Sequence, residues 1–234
     1  NYAGSMVYAF DLEGRVTKVN LTDQGTMYES TVLFDAESNT TNARYIFETP
    51  DATINKDNNL WLYFGTGDTQ RIQDKANNRL YGIKDKDFPE FKKVNSIGTI
   101  RNCSIAGSCP SDSQLGWYID LPNSRKLVAS PTVQGDVVYF PIYEPPRLTN
   151  NACLYGGAFL DTKNSSCGAT KSFKKLGTGV LTRVTLAPNN KLVIGLSGEA
   201  DKNSGFKNQD NLLTGDALGN TQIKGIQVES WRQN

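Results

Sequence analysis

Apolar residues in this chain recur in short runs, many with a two-residue period, and no stretch shows the three-to-four spacing of an amphipathic helix. The densest pattern lies between Gly116 and Asp161. There Trp117, Ile119 and Leu121 alternate with polar neighbours, so they share one face of a strand. Two apolar runs, LVASPTV and VVYFPIY, are parted by Gln134-Gly135-Asp136, a turn signal that predicts an antiparallel hairpin from Leu127 to Tyr143. A further short strand, LYGGAFLD, begins beside Cys153. Four short strands in about 45 residues is the cadence of one β-propeller blade, a unit whose apolar faces need neighbouring blades.

The rest of the chain reads in the same way. Strands are predicted at MVYAFDL and RVTKVNL around Glu13-Gly14, at Ser30–Ala36 and at Ala43–Glu48. Pro50–Asn59 reads as a long polar turn, Leu60–Gly65 as a strand buried on both faces, Asp68–Asn78 as a loop and Arg79–Asp85 as a strand. Ile97–Ser113 reads as an insertion and Thr162–Gly179 as a polar loop. A last hairpin is expected at Val180–Leu186 and Lys191–Gly198 around Pro188-Asn189-Asn190. This gives an all-β chain with roughly four to five blades of a partial or modified propeller. The blades would occupy residues 1–198, and residues 199–234 would form a polar tail in which only 222–231, with Ile223, Ile226, Val228 and Trp231, could close as a strand.

The order of these pieces resembles the C-terminal propeller region of the PilY/PilC family, large secreted proteins that assemble or cap type IV pili. The resemblance rests on Trp117, Tyr118, Asp120, Leu121 and Pro122, then Ser130, Pro131 and Val133, then Gly135, Val138, Tyr139 and Phe140, then Cys153, Gly156, Gly157, Leu160 and Asp161. Val7–Gly14 resembles the family's "VYAGDL.G" strand, and Leu62–Asp68 with Leu80–Ile83 resembles its "YFGTG...YGI" pair. It implies a non-enzymatic scaffold that binds minor pilins at the pilus tip and contacts a host or abiotic surface. The family's calcium loop would fall upstream of Asn1, so it transfers to no residue here, and the Arg-Gly-Asp motif of some members is missing.

Composition narrows the classes of function. The 25 basic and 24 acidic residues leave a net charge of +1, which gives no electrostatic footprint for nucleic acid. No apolar run is long enough to span a membrane. The chain opens on Asn-Tyr-Ala, without Met or leader, and reads as part of a longer exported precursor with an extracellular, cell-surface or pilus-tip destination. Four cysteines fit that compartment. Their even number and spacing favour Cys103 with Cys109 and Cys153 with Cys167, although four cysteines allow three pairings. A zinc site needs closer thiolate pairs than either spacing offers.

Histidine is absent, which removes the usual general base and the common nucleophilic triads. The nearest carboxylate group, Asp85, Asp87 and Glu90, reads as a solvated turn, and Gly-Thr-Gly-Asp at 65–68 lacks the lysine of a phosphate loop. Calcium is the one cofactor the sequence brings forward. Asp201, Asn203 and Asp210 offer oxygens in one loop, although Gly205 stands where Asp or Asn is expected and Leu212 where an acid is expected. Asn55, Asp57 and Asn59 form a second alternating set. Tyr143, Pro145, Pro146 and Tyr155 are rigid residues suited to a contact surface, presented by the loop regions 141–179 and 102–113. The other readings are a quinoprotein-like propeller enzyme, against which the lack of adjacent cysteines counts, and a secreted propeller adhesin or lectin unconnected to pili.

Overall fold

The computed structural model describes residues 6–218 except 96, 106–109, 112 and 147–154. The described chain is all β, arranged as four sheets in sequence order. Sheet I contains β1 (Met6–Phe10), β2 (Arg15–Asn20) and β3 (Ser30–Asp35). Sheet II contains β4 (Asp51–Ile54), β5 (Leu60–Gly65), β6 (Arg79–Asp85), β7 (Ile100–Asn102) and β8 (Gly116–Asp120), in the order β4-β5-β6-β8-β7 with β7 parallel to β8. Sheet III contains β9 (Lys126–Leu127), β10 (Thr132–Gln134), β11 (Val137–Glu144), β12 (Gly157–Asn164) and β13 (Thr170–Thr178). Its order is β10-β11-β12-β13, and β9 pairs with the far end of β11. Sheet IV contains β14 (Thr185–Ala187), β15 (Lys191–Gly195), β16 (Lys207–Gln209) and β17 (Leu212–Asp216), in the order β14-β15-β17-β16.

Burial shows why the sequence has this grain. Leu62 and Phe64 of β5 join the cluster with Val16, Leu33 and Phe34 of sheet I, while Trp61 and Tyr63, on the alternate face, join Val138, Phe140 and Ile142 of sheet III. Both faces of β5 are therefore covered, and the run LWLYFG has no polar face. In β11 the same alternation sends Val138, Phe140 and Ile142 towards sheet II and Val137 and Tyr139 towards Leu192, Ile194 and Leu213 of sheet IV. The sheets thus stack face to face in chain order, as strand twist and short connections favour. Aromatic edges lock the first interface, with Phe10 and Phe64 centroids 5.1 Å apart and Phe34 and Tyr81 5.2 Å apart.

One edge of the stack is stitched by Asp51 of β4. Its carboxylate accepts the Val133 N–H of β10 at 2.8 Å and lies 3.4 Å from the Arg183 guanidinium. Thr132 donates to the Val184 carbonyl at 2.7 Å, so sheets II, III and IV meet along this edge.

Several expected elements differ. Ala43–Glu48 is not a strand: Ala43 has φ +48°, and the segment is pinned by the Ile46 N–H donating to the Leu12 carbonyl. The polar turn at 50–59 contains β4, whose apolar content is too small to register as a strand. The loop at 162–179 holds the end of β12 and all nine residues of β13, an edge strand whose lysines face water. Residues 199–216 carry β16 and β17; β17 pairs with β15 and β16 with β17, so the last sheet extends past residue 198. The closing strand expected at 222–231 lies outside the described residues.

Candidate binding face

The ends of β5, β11 and β13 and the starts of β6 and β12 lie at one rim of the stack, where Gln73 of the loop after β5 donates to Tyr143 of β11. The loop 66–78 is built on a polar lock: Thr66 Oγ1 donates to Asn78 Oδ1 at 3.1 Å and accepts the Arg79 N–H at 2.9 Å, and Asn78 donates to the Arg125 carbonyl at 2.9 Å. Asp68 caps the turn that follows, accepting the N–H groups of Gln70 and Arg71 at 2.9 Å each and the Arg71 guanidinium at 2.7 Å. Burial opposes ionisation of Asp68, but these donors outweigh it and hold the carboxyl below its ordinary value. Gly-Thr-Gly-Asp is therefore a loop anchor.

Lys126 underlies the same loop. It is 1% exposed, and its ammonium donates to the carbonyls of Arg71 and Asp74, both at 3.1 Å. Burial lowers its pKa, with Asp74 and Asp68 pulling the other way. Beside it Arg125 pairs with Glu144 and lies over the rings of Phe159 (5.0 Å) and Phe173 (4.5 Å). Lys126 and Arg125 did not stand out in the sequence, because charged residues next to turns normally face solvent, and Asp68 stood out only as the end of Gly-Thr-Gly-Asp.

The four residues expected at the contact surface are divided by the structure. Tyr143 is corrected to a core residue: it is 4% exposed, its ring covers Gly156, and its hydroxyl accepts from the Gln73 side chain at 3.2 Å. Pro145 is buried and Pro146 half-buried. Tyr155 is 83% exposed at the rim, next to Gly156, whose carbonyl accepts the Gly179 N–H at 2.8 Å. Among the described residues the face therefore presents one exposed tyrosine, Tyr155, beside the 66–78 loop that is tied to the core.

Of the oxygens expected for calcium, Asp201 and Asn203 share one turn and Asp210 stands in another. Asp201 lies beside β13, its N–H donating to the Leu176 carbonyl at 2.8 Å and its side chain accepting the Asn203 N–H at 2.8 Å. Asp210 is in the β16–β17 turn at φ +49°, next to Asn211, whose carbonyl accepts the Leu196 N–H. Asn55, Asp57 and Asn59 do converge, in the β4–β5 turn, where the Asn55 side chain accepts the N–H groups of Asp57 and Asn59. Asp85 is not on a solvated turn. It is 1% exposed, between sheets I and II, and the Lys18 ammonium (2.7 Å) and Tyr8 hydroxyl (2.6 Å) converge on it. Burial, then the Asp85 charge and hydrogen bond, raises the Tyr8 pKa.

Among the described residues Cys103 and Cys167 carry no disulfide, while Cys109 and Cys153 lie outside them. Burial first, and the neighbouring Cys167 second, push the Cys103 thiol up to about 11. Among the described residues no helix is long and apolar enough to cross a membrane.

No family model matches this sequence, and no curated protein matches it. A solved structure does: the crystal structure of the Pseudomonas aeruginosa PilY1 C-terminal domain matches with a TM-score of 0.53 and 15% sequence identity, over 90% of this chain. The chain spans 57% of that domain's length, and the likeness is one of fold.

Proposed function

We propose that the four stacked sheets are consecutive blades of a propeller-like body, and that the chain is a binding module of a pilus-associated protein, without a catalytic step of its own. Its partners are minor pilins at a type IV pilus tip, and its place is extracellular. The observation that carries this reading is the fold likeness to the PilY1 C-terminal domain over nine tenths of the chain. The rim adds to it: buried Lys126 and the capping Asp68 fix the 66–78 loop of sheet II beside Arg125, which is stacked on sheet III, and a pre-organised loop loses little entropy when it binds. Tyr155 supplies an exposed aromatic anchor on that rim.

The test is surface plasmon resonance between this chain and the purified minor pilins of the same organism, with Tyr155→Ala in parallel. Saturable binding, weakened about tenfold or more by Tyr155→Ala, supports the reading. No binding to any minor pilin, or binding to glycans alone, sinks it in favour of an adhesin unconnected to pili.

A further inference from the structure

We propose that Cys103 and Cys167 form a disulfide that joins the outer edge of sheet II to the β12–β13 turn of sheet III. The argument starts at Trp117, which is fully buried between the two sheets. On one side, β7 runs parallel to β8 with Asn102 opposite Tyr118, and the Cys103 N–H continues the pairing by donating to the Tyr118 carbonyl at 2.9 Å. Cys103 is 7% exposed and packs in the cluster of Trp117, Ile119 and Leu121.

On the other side, the turn after β12 is seated on the same indole. The Trp117 ring nitrogen donates to the Ser165 carbonyl at 2.9 Å, and a Cβ on Gly168, which has φ +66°, would stand 2.8 Å from the ring. Cys167 lies between these two contacts. Its backbone is fixed because the Asn164 side chain accepts the N–H groups of Ser166 (3.0 Å) and Cys167 (3.1 Å), and the Asn164 carbonyl accepts the Gly168 N–H at 2.9 Å. Both cysteines thus stand on backbone that is hydrogen-bonded in place beside one buried ring.

Against the local bonds Cys103–Cys109 and Cys153–Cys167, this one crosses a sheet interface and closes a far longer loop. A longer loop removes more freedom from the unfolded chain. The chemistry is an exchange with a disulfide oxidant. The half-exposed Cys167 attacks one sulfur of the oxidant as thiolate, giving a mixed disulfide and releasing the first oxidant thiol. Cys103 then attacks the Cys167 sulfur and releases the second. Two protein thiols lose two protons and two electrons, and the oxidant gains them. Cys109 and Cys153 are left as the remaining couple.

The test uses the full chain, folded in a glutathione redox buffer, alkylated without reduction and digested. Trypsin places Cys103 and Cys109 in one peptide, 102–125, and Cys167 alone in 164–171. A further cut with thermolysin between Ser104 and Cys109 separates the first two. The expected product is the Cys103 fragment linked to 164–171. Overturning results are Cys103 linked to Cys109, Cys167 linked to the Cys153 peptide, or alkylated Cys103 and Cys167. The variant Cys109→Ser/Cys153→Ser, which keeps both sulfurs, is expected to melt several degrees lower once a phosphine reductant is added, and an unchanged melting temperature counts against the bond.

Discussion

The ammonium of Lys18 lies 2.7 Å from a carboxylate oxygen of Asp85, and both side chains are almost wholly excluded from water. The pair bridges β2 of sheet I and β6 of sheet II, and is completed by the Tyr8 hydroxyl and by the Lys18 bond to the Glu90 carbonyl at 3.0 Å. Removing one partner leaves the other charge buried and unpaired. Lys18→Met is therefore expected to destabilise the chain by about 3–5 kcal/mol. The double variant Lys18→Met/Asp85→Leu is expected to recover much of that loss. Urea unfolding followed by circular dichroism measures both, and a Lys18→Met midpoint equal to wild type would show that the pair adds nothing.

Trp117 is held between backbones that have no side chains. A Cβ on Gly82 of β6 would lie 2.4 Å from the indole, closer than any real packing contact. Gly82→Ala is expected to lose about 1–3 kcal/mol through overpacking, with partial rescue by Trp117→Phe, which shortens the ring system on that side. A denaturant midpoint for Gly82→Ala at or above wild type would contradict this placement of the indole.

Asp68 links stability to pH with a definite sign. Its pKa is lowered in the folded chain, so its contribution is fully present above the ordinary aspartate range and is lost as pH falls through its own lower value. Asp68→Asn is expected to reduce stability by about 1–2 kcal/mol at neutral pH, a figure kept low because Arg71 is largely exposed. The gap between wild type and variant should close as the buffer is taken below about pH 4. Urea midpoints for the two proteins across the acid range give the curve, and a constant gap would show that Asp68 does not titrate as described.

The local chemistry of the sequence already contained β5, β6 and β8 of sheet II and β11 and the start of β12 in sheet III. Trp117, Ile119 and Leu121 share the face they were expected to share, and the hairpin turns at Gly135-Asp136, between β10 and β11. The unbroken apolar run at Leu60–Gly65 correctly announced a strand covered on both sides. Side-chain period is a local property, and it needs no knowledge of the partner. The sequence was silent where burial depends on what lies opposite. In β2 the inward face is Val16, Lys18 and Asn20, and two of these three look like a solvent face until Asp85, 67 positions further on, is brought against Lys18. Tyr143 looked like a contact residue and is core, because Gly156 lets the chain cross its ring. Polar strands such as β4, β13 and β16 escaped because edge strands keep their hydrogen bonds while presenting few apolar groups. What the chain settles by itself is which residues can line one face of a strand. Which faces are dry, and which distant charges and thiols become neighbours, is decided only when the four sheets stack, since desolvation and pairing are set by the surface across the interface and not by the neighbours along the chain.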